Sequence, residues 1–254
     1  MTLLISNDDG VHANGIKVLS DALSAVFDAQ VVAPERDHSG ASSALTLKRP
    51  LSLTRLDSGY CSVDGSPADS VMLGLSLCSP KGERKIFERV VSGINSHANL
   101  GDDVLYSGTV AAALEGRSLA HPAIAVSLVN RGCYHYETAA QVVLDLLLNT
   151  TKLAVPSGVV LNVNVPDIAY NKLKGIKVTR LGARSTGDPH VRVEDPRGRT
   201  RYWVGAAGES LDSKLGTDFH AVENDYVSIT PLQVDMTKHD LIDELQKNIR
   251  GITE

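Results

Sequence analysis

Aromatic side chains make up only 4% of the 254 residues, so a core built from this chain must rest mainly on Val, Leu, Ala and Ile. Long apolar runs are missing too, and nothing approaches the ~20 residues of a membrane helix. The opening MTLLISNDDG has no basic start and only a short apolar run, so it does not read as a secretory signal. Cysteine is sparse: Cys61, Cys78 and Cys133 are widely spaced and form no C-x-x-C pair. They read as packed, reduced thiols, and the expected location is cytoplasmic. Positive charge is not in surplus either. Lys plus Arg is 25 against 30 Asp plus Glu, a net charge of −5. That balance gives no general pull toward nucleic acid, so neither duplex nucleic acid nor membrane is expected as a partner. An anionic ligand would need a local cation or local backbone donors. The eight histidines show no His-x-x-x-His spacing, which argues against a zinc hydrolase. A Walker A lysine motif, a Gly-x-Gly-x-x-Gly and a Gly-x-Ser-x-Gly elbow are all absent, so NTPase, dinucleotide and serine-hydrolase readings lack support.

What is present is an alternation of strand and helix patterns. Thr2 to Ser6 is a short apolar run stopped by Asn-Asp-Asp-Gly, which predicts a buried strand. Ile16, Leu19, Leu23, Val26 and Phe27 fall at helical spacing. Gln30 to Ala33 reads as a second strand closed by Pro34. Ser66 suits an N-cap and Pro67 the first turn of a helix running toward Cys78. Arg89 to Ser92 is a strand, followed by a polar loop from Gly93 to Tyr106, and Ser107 opens an Ala-rich helix. Ala123 to Val129 and Val159 to Val165 are strands on either side of a helix from Tyr136 to Leu148. This order predicts an α/β fold, a mostly parallel sheet with helices on both faces. Residues 1–165 would form the core that carries the active site, and 166–254 would complete it. Two extended runs, Val191 to Val193 and Thr200 to Val204, flank an Asp-Pro-Arg-Gly turn. They predict a hairpin arm over about 190–205, too apolar-poor to stand alone. Lys238 to Ile249 reads as a terminal amphipathic helix.

In parallel sheets ligands bind outside the carboxyl ends of the strands. Three polar segments fall at that edge. Asp8 and Asp9 place two carboxylates together, a costly pair unless protonated or neutralised by a hard cation. A solvated Asp-Gly turn is the competing reading. Pro34 to Gly40 offers the Ser39 hydroxyl from a loop that is otherwise ordinary. Ser92 to Ala113 places Asn95, Asn99, Asp102 and Asp103 before Ser107, Gly108 and Thr109 at a helix start. Such a start can bind phosphate or can be a plain Ser or Thr cap. Together the three segments fit metal-assisted phosphate hydrolysis.

The motifs NDDG, P-x-x-x-x-SG and SGIN…AN-x-GDD-x-x-YSGTVAAA, in this order, resemble the signature segments of the SurE family. The resemblance implies a Rossmann-like, SurE-type fold and a phosphatase acting on nucleoside 5′- and 3′-monophosphates, with polyphosphate trimming in some members. It implies one divalent ion per subunit, Mg²⁺ or Mn²⁺, held by Asp8, Asp9, Ser39 and Asn95. Ser107, Gly108 and Thr109 would cradle the phosphate, with Asn99 a further contact. Asp8 and Asp9 would be the catalytic residues, attack coming from a water polarised by the metal. Homodimers or homotetramers would form through the C-terminal arm. His97 stands where the family often has Gly, and a required positive φ there would strain the loop. His38 also departs from the usual pattern. His97 reads more readily as a solvated loop side chain than as a catalytic acid. An aspartate-nucleophile phosphatase would need Asp-x-Asp, which the adjacent Asp8 and Asp9 do not form. A non-catalytic module that binds metal and nucleotide is the alternative outside enzymes.

Overall fold

The computed structural model describes residues 1–77, 86–129, 132, 134–149, 155, 156 and 158–253. Cys78 and Cys133 lie outside them, while Cys61 is buried and free. The strands among the described residues are β1 (Thr2–Ser6), β2 (Asp28–Pro34), β3 (Leu53–Arg55), β4 (Cys61–Val63), β5 (Arg89–Asn95), β6 (Ala123–Val129), β7 (Val160–Pro166), β8 (Ile176–Val178), β9 (Ala183–Arg184), β10 (Val191–Glu194), β11 (Thr200–Trp203), β12 (Ser210–Asp212) and β13 (Val227–Leu232). The helices are α1 (Asn14–Ser24), α2 (Pro67–Leu77), α3 (Gly108–Glu115), α4 (Tyr136–Leu148), α5 (Asp218–Glu223) and α6 (Ile242–Thr253).

Nine strands form one sheet in the order β3-β4-β2-β1-β5-β6-β7-β13-β8. From β4 to β7 every pairing is parallel; β3 and β13 run antiparallel to their inner neighbours. The central strands are apolar on both faces because helices cover both. Leu3 and Ile5 of β1 point into a core with Ile16, Leu19 and Leu23 of α1 and Val143 and Leu147 of α4. Leu4, one residue out of phase, enters a second core with Val71 of α2 and Val110 of α3. Period-two alternation thus divides one strand between two cores.

Local departures from the sequence reading have local causes. α1 ends at Ser24 rather than Phe27, because the Val26 and Phe27 N–H groups both turn back to the Leu23 carbonyl. That turn drops Phe27 onto the core and leaves Val26 exposed. β2 runs on through Pro34. The expected loop from Gly93 is still strand to Asn95, with a register shift against β6, and Gly101–Leu105 is a 3-10 helix. α6 begins and ends four residues later than expected, after a 3-10 turn at His239–Leu241. The β10–β11 hairpin forms around Asp195, whose Oδ1 accepts from the Arg197 and Arg199 N–H groups. Among the described residues, no helix is long and apolar enough to cross a membrane.

Gly15 sets the approach of α1 to the site edge. A Cβ there would lie 2.0 Å from the Ile94 carbonyl oxygen. We predict that Gly15→Ala lowers unfolding free energy by about 3 kcal/mol, the upper range for overpacking. Urea denaturation checks it. A loss below about 1 kcal/mol would mean that the helix shifts freely.

Candidate metal and phosphate site

The chain leaves β1 toward β2 on one side and later enters β5 on the other. The crevice between β1 and β5 is therefore the topological switch point, where open parallel sheets bind ligands. All three polar segments gather there. Asn7-Asp8-Asp9-Gly10 follows β1, and the Asn7 amide donates to the Gly10 carbonyl at 2.9 Å. Gly10 has φ +101°, and a Cβ there would lie 3.1 Å from the Arg36 carbonyl carbon. Glycine is needed because the first two segments are laced together. The His38 N–H donates to the Asp8 carbonyl at 2.8 Å, and the Val11 N–H donates to the Pro34 carbonyl at 2.8 Å. The chain just past the second segment meets the third, with Ser42 Oγ donating to the Leu105 carbonyl at 2.8 Å.

A cleft of about 280 Å³ opens where they meet. It is lined by Asp8, Ser39, Asn95, Asn99 and Ser107, with Tyr106 and Asp103 beside them. Ser39 is held by Asp37, whose Oδ1 accepts from both its N–H and its hydroxyl. Asn95 ends β5, and its Nδ2 donates to the His97 carbonyl at 2.7 Å, so its Oδ1 is the end left for another partner. Thr109 is buried away from the cleft: its hydroxyl and N–H both go to Asp8. Ser107 caps α3 by accepting from the Val110 N–H at 3.0 Å. Gly108 packs directly on Asp8, with room for no Cβ: one would lie 2.7 Å from Asp8 Cβ.

Electrostatics explain what this edge wants. Burial pushes the Asp8 carboxyl above its ordinary value, against the opposing hydrogen bonds from Thr109. Burial, then the neighbouring Asp8 charge, raises Asp9 from 3.8 to about 6. Asp37 adds a smaller repulsion to both. Among the described residues no three His, Cys, Asp or Glu side chains are arranged to hold a metal. The cleft offers instead the Asp8 carboxylate, the Ser39 hydroxyl and the Asn95 amide oxygen, with the Asp9 carboxylate next to Asp8 in sequence. These are hard oxygen donors around uncompensated negative charge, and they fit a hard divalent cation.

A pH dependence of stability follows for the metal-free protein. The folded state holds the Asp9 proton more tightly than the unfolded chain does. Its stabilising contribution is therefore complete below the ordinary value of 3.8 and is lost as pH rises to about 6. After solvent screening of a half-buried carboxylate this is worth ~1–2 kcal/mol. Asp9→Asn should flatten that stretch of the stability curve, as thermal unfolding between pH 4 and 7 in EDTA would record. An unchanged slope would mean that Asp9 titrates normally.

Asn99 is fixed by a buried amide cage. Its N–H donates to Asn164 Oδ1 at 2.9 Å, and its Nδ2 donates to Ser127 Oγ at 2.8 Å. Its carbonyl accepts from Asn162 and Asn164 of β7. Sequence reasoning missed these two, although amides two residues apart in an apolar strand were a visible signal for a shared polar face. It also missed Asp37, Ser96, whose hydroxyl donates to Asp9 at 3.3 Å, and Arg184, which forks onto Asp103 at 2.7 and 2.6 Å. Buried Asp218 accepts from the Gly101 and Gly182 N–H groups, tying the third segment to the C-terminal part. His97 is exposed, with Nδ1 3.0 Å from Ser96 Oγ. Among the described residues, the positive-φ residues other than glycine are Ser42 and Asp225, so His97 imposes no strain on its loop.

The family model described as Survival protein SurE matches residues 3–188, a span that includes every residue of the cleft but Ala207. This chain belongs to the SurE family. A protein from Marinobacter nauticus named 5′-nucleotidase SurE is 52% identical over 254 residues, covering 100% of this chain and 98% of its own. One of the same name from Legionella pneumophila (strain Philadelphia 1) is 51% identical over 252 residues, covering 99% and 98%. The crystal structure of the SurE protein from Aquifex aeolicus superposes with a TM-score of 0.83 at 40% identity, covering 97% of this chain and 99% of that one. The SurE-type architecture expected from the motifs is therefore the fold of this chain.

Proposed function

We propose that this cleft hydrolyses nucleoside 5′- and 3′-monophosphates to nucleoside and phosphate. Membership of the SurE family, with relatives named 5′-nucleotidase, supports the phosphomonoesterase activity. The observation that carries the site is the meeting of Asp8, Ser39, Asn95 and Ser107 in one cleft at the β1–β5 switch point.

Asp8, Asp9, Ser39 and Asn95 would hold one divalent cation, Mg²⁺ or Mn²⁺. When bound, it supplies Lewis-acid polarisation of the phosphoryl oxygens and lowers the pKa of an attacking water. The remaining work falls to the chain. The helix start at Ser107 and Gly108 presents a hydroxyl and open backbone to the phosphate, and the dipole of α3 favours the anion there. Thr109 holds Asp8 in place from the next position, so its part is positioning rather than contact with substrate. Asn99 presents a side chain fixed by its amide cage, which limits the phosphate to one orientation. One of the two carboxylates, Asp8 or Asp9, would take the proton of the water. A cytoplasmic location, and assembly as a homodimer or homotetramer through the β10–β11 arm and α6, complete the proposal. The arm exposes Tyr202 and Trp203, which is unusual for a chain with one tryptophan. Polyphosphate trimming belongs to the same chemistry.

The test is phosphate release from AMP and GMP with Mn²⁺, run in heavy-oxygen water. One label per phosphate from solvent, with no trapped acyl-phosphate, is expected. Saturable binding without release would favour a regulatory module, and a phospho-aspartyl enzyme would overturn direct attack.

A further inference from the structure

Beyond the Ser39 turn the chain makes a long excursion before β3. From Ala41 to Pro50 it contains neither helix nor strand, and it is exposed except at half-buried Ala41, Ser42 and Thr46. With so little buried surface, such a stretch keeps one shape only if something else restrains it. The restraint comes from the turn between β4 and α2. Ser66 Oγ donates to the Ala44 carbonyl at 2.6 Å. The Thr46 N–H lies 3.2 Å from both Asp69 carboxylate oxygens. Arg49 Nη1 donates to Asp64 Oδ2 at 2.8 Å.

Asp69 does more here than a helix cap requires. Its Oδ2 accepts from the Ser66 N–H at 2.9 Å, and its own N–H donates to Ser66 Oγ at 3.1 Å, a reciprocal pair that closes the start of α2. That pair is complete without Thr46. Burial works against the Asp69 charge, yet the hydrogen bonds from Ser66 and Thr46 outweigh it and hold the carboxyl below its ordinary value. A charged, buried acceptor thus joins a remote loop to α2. Between Ser39 and this clasp lies Ser42, whose N–H donates to the Tyr106 carbonyl at 3.1 Å and whose hydroxyl donates to the Leu105 carbonyl. The first turn of α2 also abuts the phosphate helix, because a Cβ on Gly108 would lie 3.1 Å from Pro67 Cγ.

We infer that Asp69 is a positioning residue of the metal site: by clasping Thr46 it fixes the excursion, and through it the Ser39 hydroxyl on one side and the backbone before Ser107 on the other. This rests on the metal reading of the cleft given above. Without the clasp, the segment would be ordered only as an ion binds, and that cost would be subtracted from the affinity. With the site saturated, Ser39 would be held in place by the ion, so turnover should be spared.

Asp69→Asn breaks the clasp selectively. Its amide oxygen in the place of Oδ2 keeps the Ser66 bond, while its amide nitrogen then faces the Thr46 N–H, donor against donor. Thr46→Pro removes the same bond from the loop side and leaves α2 whole. Each folded variant should raise the Mn²⁺ Kd, measured by calorimetry, by about tenfold, the low end of the cost of losing a residue that orients a metal's ligands. In EDTA, trypsin should cut after exposed Lys48 at least about fivefold faster than in the wild type. At saturating Mn²⁺, kcat for AMP should stay within about threefold. A Kd within about twofold of the wild type, or a kcat that falls more than about tenfold at saturation, overturns the inference. If the wild type binds no Mn²⁺, the metal reading fails, while faster cleavage in EDTA still upholds the clasp. Cleavage within about twofold of the wild type removes the clasp whatever the metal does.

Discussion

Asp8→Asn is expected to lower kcat for AMP by about 10³-fold, the equivalent of ~4 kcal/mol of transition-state stabilisation. The change is nearly isosteric. The carboxylate sits at 3% exposure with its charged form disfavoured by burial, so removing the charge relieves the metal-free fold rather than weakening it. Thr109 keeps an oxygen to donate to. The melting temperature in EDTA should therefore hold or rise. The upward shift that Mn²⁺ gives the wild type should disappear, because a ligand stabilises only what it binds. The two readouts separate lost chemistry from lost structure. Full activity in the variant, or an Mn²⁺ shift equal to that of the wild type, would show that Asp8 is not a ligand.

Gly108→Ala should cost about 10²-fold in kcat, the effect of misplacing a reacting group by about an ångström. An added methyl would lie 2.7 Å from Asp8 Cβ, 2.9 Å from Asp8 Oδ2 and 3.1 Å from Pro67 Cγ. The first two are too close, so Asp8 or α3 must move. Stability should fall by ~1–3 kcal/mol, as for other overpacked sites. Steady-state kinetics at saturating Mn²⁺, together with urea denaturation, check both parts. A variant with wild-type kcat would mean that the helix start can retreat without disturbing the catalytic groups, and Gly108 would then be a packing residue only.

The fold was legible wherever its signals were local. β1 stops at Asn7, β6 and α4 have the limits that the apolar pattern predicts, and Ser66 and Pro67 open α2 as a cap and first turn. The sequence hid what depends on distant partners. β13 reads Val-Ser-Ile-Thr, an alternation that suggests a strand with one wet face. Its Ser228 and Thr230 are nevertheless buried, each 2.7 Å from the hydroxyl of Thr179. A polar face closed by a hydroxyl from just beyond β8 cannot be told from a solvated one by pattern alone. The strand end at Asn95 was obscured for a different reason: Gly and Asn are depleted in strands, yet here they carry β5 to the ligand edge.

The candidate site divides the same way. Of the eight residues expected from its motifs, Asp8, Ser39, Asn95, Asn99 and Ser107 line one cleft, Thr109 bonds to Asp8 behind it, and Gly108 packs on Asp8; Asp9 does not line the cleft. The motifs did not show how the roles divide among Ser107, Gly108 and Thr109. That depends on Asp8 reaching across 101 positions to take the Thr109 hydroxyl. Nor could they reveal the Arg184–Asp103 fork or the Asp218 tie, whose partners are 81 and 117 residues apart. Those contacts arise only after the sheet has brought α5 and β9 beside the third segment.

Anomalous scattering at the manganese edge, from crystals grown with Mn²⁺, puts the whole assignment to one trial. A single strong peak should lie within coordination distance of Asp8, Asp9, Ser39 and Asn95, beside the first turn of α3. A peak bound elsewhere, or an empty crevice in crystals whose dissolved protein still needs Mn²⁺ for phosphate release, would refute it.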